Sequence, residues 1–175
     1  MPIRLVNTNR PSIDKDSLDN RTLGTAHKPY RAGIWYGLGD EWLDWAAKHL
    51  PEILRSHIFE IKVNESRILK LATVDDCLAC TVRYGQSKKP PYTGYDIDWD
   101  KVAKDWAGVE ITRECLSEYM SRASQTEIPE LIWLEGWDVG QGCIWDGSVI
   151  RSSKKIPTTD PRLKQAQRQS PPERI

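Results

Sequence analysis

The stretch from Lys28 to Trp45 constrains the fold of this chain more than any other. A short apolar run, Ile34-Trp35-Tyr36, stops at Gly37, Leu38 and Gly39. It gives way to a helix with three-and-four spacing at Trp42, Trp45, Ala46 and His49. A strand feeding a tight turn and an amphipathic helix is a common way to build a ligand cleft. The aromatic pair at the strand end can flank a flat ligand, and the glycines let backbone approach it closely.

With 175 residues the chain is one domain, long enough to bury a core. Eight Trp stand against a single Phe. An indole carries a donor that needs a partner when buried, so each Trp is either a pocket wall or a core residue standing in for Phe. Composition leaves both roles open.

Net charge is zero but unevenly placed. From Arg151 onward seven Lys/Arg face two acids, Asp160 and Glu173, and the segment carries Pro157, Pro161, Pro171 and Pro172 without apolar periodicity. The expected organisation is therefore one domain over 1–150 and a basic, Pro-containing disordered tail over 151–175. Nothing in the body reads as a nucleic-acid footprint.

Cys77-Leu78-Ala79-Cys80 is a CxxC, but no second CxxC or His pair stands at zinc spacing. It falls in a helix opened by Thr73 and Asp75/Asp76, where cysteines are ordinary small apolar residues. No metal site is expected. With no apolar leader core and no stretch approaching ~20 apolar residues, no membrane contact and a cytoplasmic, reducing compartment are expected.

Along the chain, a first strand at Ile3–Val6 precedes a long polar loop over residues 10–29. A strand over 33–36 and a helix over about 40–50 follow. His57–Val63 alternates as a half-buried strand, and Arg67–Leu71 is another. A helix over about 75–84 leads to a surface loop over 85–96. Asp98 then caps a helix carrying Trp99, Val102, Ala103 and Trp106. Gly108–Ile111 is a strand, and 112–130 mixes helix and loop. Leu131–Leu134 and Gly142–Trp145 read as strands around a Gly-bracketed turn. Short strands broken by a few helices, without a βαβ rhythm, predict an α+β fold with a bent, mainly antiparallel sheet.

No nucleophile elbow, Walker loop, dinucleotide fingerprint or zincin motif is present. Of the three histidines only His27, in the loop before the aromatic strand, is a site candidate. Glu110 alternates against Val109 and Ile111; it is either a solvated strand residue or a cleft-facing carboxylate able to stabilise positive charge on a ribose. Asp138 is either a turn residue bonded to local backbone or a site acid.

In order, the chain supplies Gly33-Ile34-Trp35-Tyr36-Gly37, Phe59-Glu60-Ile61-Lys62-Val63, Ile68-Leu69-Lys70-Leu71, Trp106-Ala107-Gly108-Val109-Glu110-Ile111, and Gly136-Trp137-Asp138 running to Gly142-Cys143-Ile144-Trp145. This succession resembles the ADP-ribosyltransferase superfamily, in particular its small, divergent members from phage and mobile elements. The resemblance covers roughly residues 3–150 and rests on segment order. Two positions depart from the pattern. Val6-Asn7-Thr8, with Arg4 upstream, stands where His or Arg usually precedes a small hydroxyl residue, and Gly37 stands where Ser usually follows the aromatic strand.

The resemblance implies a sheet split around a nucleotide cleft with a few flanking helices, and NAD as substrate. It implies transfer of ADP-ribose to a protein or nucleic-acid acceptor, or NAD hydrolysis. Trp35 and Tyr36 would stack on the nicotinamide, and Arg4, Asn7 or Thr8 would hold the adenosine ribose or pyrophosphate. Glu110 would steady the oxocarbenium-like species, with Asp138 as the other candidate acid. The departures equally suit a non-catalytic nucleotide- or protein-binding module on the same scaffold.

Overall fold

A computed structural model describes residues 2–16, 18, 23–29, 33–49, 51, 54 and 57–164. In chain order the elements are β1 (Arg4–Thr8), β2 (Thr25–Ala26), β3 (Ile34–Leu38), α1 (Glu41–His49), β4 (His57–Val63), β5 (Ile68–Leu71), α2 (Val74–Tyr84), β6 (Gly85–Ser87), β7 (Tyr95–Asp98), α3 (Trp99–Asp105), β8 (Gly108–Ile111), α4 (Arg113–Ala123), β9 (Gln141–Ile144) and β10 (Ile150–Lys155). Seven strands form the main sheet in the order β10-β4-β1-β3-β9-β8-β5, and β2-β7-β6 form a small second sheet. Every neighbouring pair is antiparallel except β5 with β8. The fold is α+β with an antiparallel-rich sheet, as the pattern of short strands predicts. The parallel pair follows from the long crossover through α2 and α3 that separates β5 from β8.

Local chemistry sets most boundaries. Thr73 and Asp76 form a reciprocal capping box that opens α2, the Asp98 carboxylate accepts the Lys101 N–H at 3.1 Å to open α3, and the Thr112 hydroxyl accepts the Cys115 N–H at 3.2 Å to open α4. β3 runs through Gly37 to Leu38, and the chain turns at Gly39, whose φ of +64° suits glycine.

The main sheet buries both faces. On one, Leu5 and Ile58 pack under Leu43, Ala46 and Ala47 of α1, while Val109, Ile111 and Cys143 pack under α2, α3 and α4. The opposite face carries Val6, Tyr36, Phe59, Ile61 and Ile144, with Ile13 and Leu18 packed against them. The Trp question splits. Trp99, Trp133, Trp137 and Trp145 are buried core residues, and each indole N–H reaches an acceptor: the carbonyls of Ala26, His27 and Trp106 for Trp99, Trp137 and Trp145, and the Thr81 hydroxyl for Trp133. All four cysteines are buried and none forms a disulfide, so Cys77 and Cys80 act as helix packing. No group of metal-ligating side chains occurs among the described residues, and no described helix is long and apolar enough to cross a membrane.

Several expectations need correction. Leu131–Leu134 is not a strand; Pro129 opens a 3-10 helix that runs to Leu134 and buries Leu131 and Leu134, one 3-10 turn apart, together with Trp133. Residues 85–96 are not all loop, because β6 and the start of β7 pair there. The expected boundary at 150 also fails. β10 pairs with β4 as far as Lys155, the Ile156 N–H donates to the Ile58 carbonyl at 2.8 Å, and Ile156 and Leu163 are buried in the α1 core. β10 hides from a periodicity reading because it is an edge strand whose residues after Ile150 are all exposed and mostly polar or basic. The rest of the expected tail, 165–175, lies outside the described residues.

Candidate functional site

Alternation along β1 and β3 divides the expected binding residues between the two faces of the sheet. Arg4, Thr8 and Tyr36 fall on one face with Glu110; Asn7 and Trp35 fall on the other. Trp35 and Tyr36 are consecutive on an extended strand, so they cannot stack on the same ligand ring, and the expected aromatic pair is corrected accordingly.

On the first face Arg4, Tyr36 and Glu110 meet from three different strands. Arg4 Nε donates to Glu110 Oε2 at 2.7 Å and the Tyr36 hydroxyl donates to the same oxygen at 3.1 Å. All three side chains are about 2 % exposed. Glu110 is therefore not a solvated strand residue. Arg4 Nη1 lies 3.3 Å from Glu65, which in turn pairs with Lys70, so two cations and two carboxylates balance one another. Arg4 Nη2 is buried without a hydrogen-bond partner.

The register explains how the Tyr36 ring spans this distance. Gly142 of β9 lies between Tyr36 on β3 and Glu110 on β8, paired with both. A Cβ at Gly142 would fall 2.3 Å from Tyr36 Cζ, so only glycine lets the phenol lie across β9 to the carboxylate.

Burial and the opposing charges set the protonation states. Burial alone would lower the Arg4 pKa, but the charge and hydrogen bonding of Glu110 outweigh it and hold the guanidinium above its ordinary value. Burial, then the Glu110 charge, pushes the Tyr36 phenol well above its ordinary range. The hydrogen bond from Lys70 leads in holding the Glu65 carboxyl low.

One consequence is alkaline. Above about pH 10 tyrosine in the unfolded chain ionises while Tyr36 in the folded chain keeps its proton. The folded state then binds more protons, so the contribution of Tyr36 is fully present below about pH 10 and is lost as pH rises beyond it. The stability difference between wild type and Tyr36→Phe, measured by urea unfolding, should be constant from pH 7 to about 10 and shrink above that. A flat difference at pH 11 would contradict the assignment.

The other face holds an open cleft of about 170 Å³ lined by Trp35 and Trp42 together with Asn7 and Gln141. Gly37 forms its floor. A Cβ there would fall 2.0 Å from Trp42 Cγ, so the indole of Trp42 occupies the space a serine side chain would need. The Asn7 amide oxygen is buried without a hydrogen-bond partner. An unpartnered amide oxygen on a residue that lines this cleft would suit a planar ligand bringing an N–H donor, once the Asn7 side chain turns that oxygen towards it.

The remaining candidates lie elsewhere. The Thr8 hydroxyl accepts the Arg10 N–H at 3.1 Å, a local turn contact. Asp138 lines a separate groove of about 570 Å³ between α1 and α4, together with Trp45 and Met120, and does not join Glu110. His27 Nε2 lies 2.7 Å from Lys88 Nζ and 3.3 Å from Asp96, at the small sheet. Sequence reasoning missed Glu65, Lys70, Gln141 and the spacer role of Gly142. None has a local signal, because each matters only through the order in which strands pair.

Comparison with known protein families, curated proteins and solved structures gives no significant match.

Proposed function

We propose that this chain is a nucleotide-binding module whose Trp35–Trp42 cleft takes the flat part of the ligand. The observation that carries the reading is the buried, unpartnered Asn7 amide oxygen at the wall of that cleft. A carboxamide or exocyclic amine would supply the missing donor, and the indoles would cover the ring faces. NAD, which the family resemblance implies, contains both such groups and is the first ligand to test.

Thermal shift and calorimetry with NAD, ADP-ribose, adenosine and nicotinamide provide the test, because a ligand that favours the native state raises its stability by mass action. Binding by wild type should fall about tenfold in Trp35→Ala and in Asn7→Ala, with folding retained. No binding of any of these compounds would overturn the reading.

A second reading, ADP-ribosyl transfer, is favoured by the convergence of Arg4 and Tyr36 on one carboxylate oxygen of Glu110. Retained ion pairs in an apolar interior contribute little net stability compared with apolar packing, so their presence invites a chemical role. Under it NAD would bind on the Glu110 face of the sheet rather than in the Trp35–Trp42 cleft, and Glu110 would reach a cationic sugar centre only once Arg4 moved off it towards a phosphate. Under this reading Glu110→Gln binds NAD like wild type but releases nicotinamide about 10²–10³-fold more slowly. NAD binding without nicotinamide release by wild type leaves the binding module as the function.

A further inference from the structure

The Lys28 ammonium rests on two indoles. Its ammonium nitrogen lies 5.8 Å from the centre of the Trp35 ring and 5.4 Å from that of Trp137, and these rings are 5.5 Å apart with planes tilted by 50°. The side-chain stem passes Gly136, where a Cβ would lie 3.8 Å from Lys28 Cε. Among the described residues no carboxylate lies within ion-pair distance of this ammonium. Burial lowers the lysine pKa, and the Asp138 charge, from farther away, opposes that effect.

Lysine ammonium groups ordinarily sit in water or on a carboxylate. Two indole faces instead attract this one as a cation, which fixes its position and leaves its N–H donors unspent. The cage is itself rigid: Trp137 donates its indole N–H to the His27 carbonyl at 3.3 Å, and Trp35 is held within β3 between β1 and β9. Trp35 is also a wall of the cleft assigned above to the ligand ring. A single indole thus links a pocket for a planar ring to a fixed cation.

From this juxtaposition we infer that Lys28 binds the phosphate of the nucleotide whose ring occupies the Trp35–Trp42 cleft. The inference rests on the nucleotide reading and deepens it by naming the residue that holds the phosphate, which favours a nucleotide over a free base or nucleoside. A phosphate oxygen accepts from the ammonium while the indoles remain beneath it, so binding adds a charge-assisted hydrogen bond without displacing the cage. Asp138, whose charge acts on Lys28, would repel a phosphate, so the Lys28 charge decides whether an anion is held beside Trp35.

The experiment compares wild type with Lys28→Met, which keeps an unbranched stem and removes the charge. Calorimetry with adenosine and nicotinamide, and with AMP and ADP-ribose, separates phosphate-free from phosphate-bearing ligands. AMP and ADP-ribose should bind the variant about tenfold or more weakly, while adenosine and nicotinamide bind both proteins alike. Unchanged affinity for AMP overturns the inference, as does an equal loss for adenosine, which would make Lys28 a packing residue.

Inorganic pyrophosphate supplies a readout independent of the ring pocket. It should protect Lys28 of the wild type from acetylation by acetic anhydride, mapped by peptide mass spectrometry. Protection without any nucleoside binding keeps the anion site and removes the ring-pocket reading. Nucleoside binding without protection removes the anion site and keeps the pocket. Failure of both removes both.

Discussion

Arg4→Met is expected to lower stability by about 3–5 kcal/mol, the usual cost of stranding one member of a buried ion pair. Arg4 and Glu110 are each 2 % exposed and 2.7 Å apart. Removing the guanidinium leaves the Tyr36 hydroxyl as the remaining donor to that Glu110 oxygen among the described residues, away from water. The cost should come from the uncompensated charge, so Arg4→Met combined with Glu110→Gln should recover most of the loss. Urea unfolding of wild type, both single variants and the double variant gives the coupling directly. A loss below about 1 kcal/mol in Arg4→Met would mean that Glu110 reaches solvent and that the triad is not the closed cluster described above.

Truncation after Ser153 should be the second large effect. It removes the last two residues of β10 together with Ile156 and Leu163, which pack against Leu5, Leu43 and Ile58 beneath α1. Full burial of an Ile or Leu side chain contributes roughly 1.5–3 kcal/mol, so about 3–6 kcal/mol is lost before the strand pairing is counted. For a chain of this size the melting temperature should drop on the order of 10 °C. Truncation after Lys164 retains both aliphatic residues and every contact described here, and serves as the control. An unchanged melting temperature after the shorter cut would show that the segment after Ile150 is not part of the core.

Both effects arise where the sequence was least informative. His57–Val63, α2 with its Thr73 cap, α3 with its Asp98 cap and Gly108–Ile111 were legible because their signals are local. Alternation shows which way Phe59, Ile61 and Glu110 point, and a capping residue binds backbone only three positions away. β10 was not legible, since an edge strand bordered by solvent has no reason to alternate. Leu131–Leu134 reads as a strand in the sequence, whereas it ends the 3-10 helix opened by Pro129, because a short apolar run fits either element.

The candidate site divides along the same line. Sequence by itself determined that Glu110 opposes Val109 and Ile111, that glycines flank the aromatic strand, and that Trp42 lies on the helix after it. It could equally place Trp35 and Tyr36 on one strand, yet the pleat that separates them is a statement about faces, and faces matter only once a sheet exists. Tertiary structure alone decided that β9 lies between β3 and β8, which puts Gly142 under the Tyr36 ring and brings Tyr36 to Glu110 across 74 residues of chain. It also carried Asp138 to the α1–α4 groove and Lys28 to the indoles of Trp35 and Trp137. The physical reason is range. Caps, turns and alternation act over a few residues and are written in sequence order, whereas strand order is chosen by burial summed over the whole sheet, and that choice assembles the site.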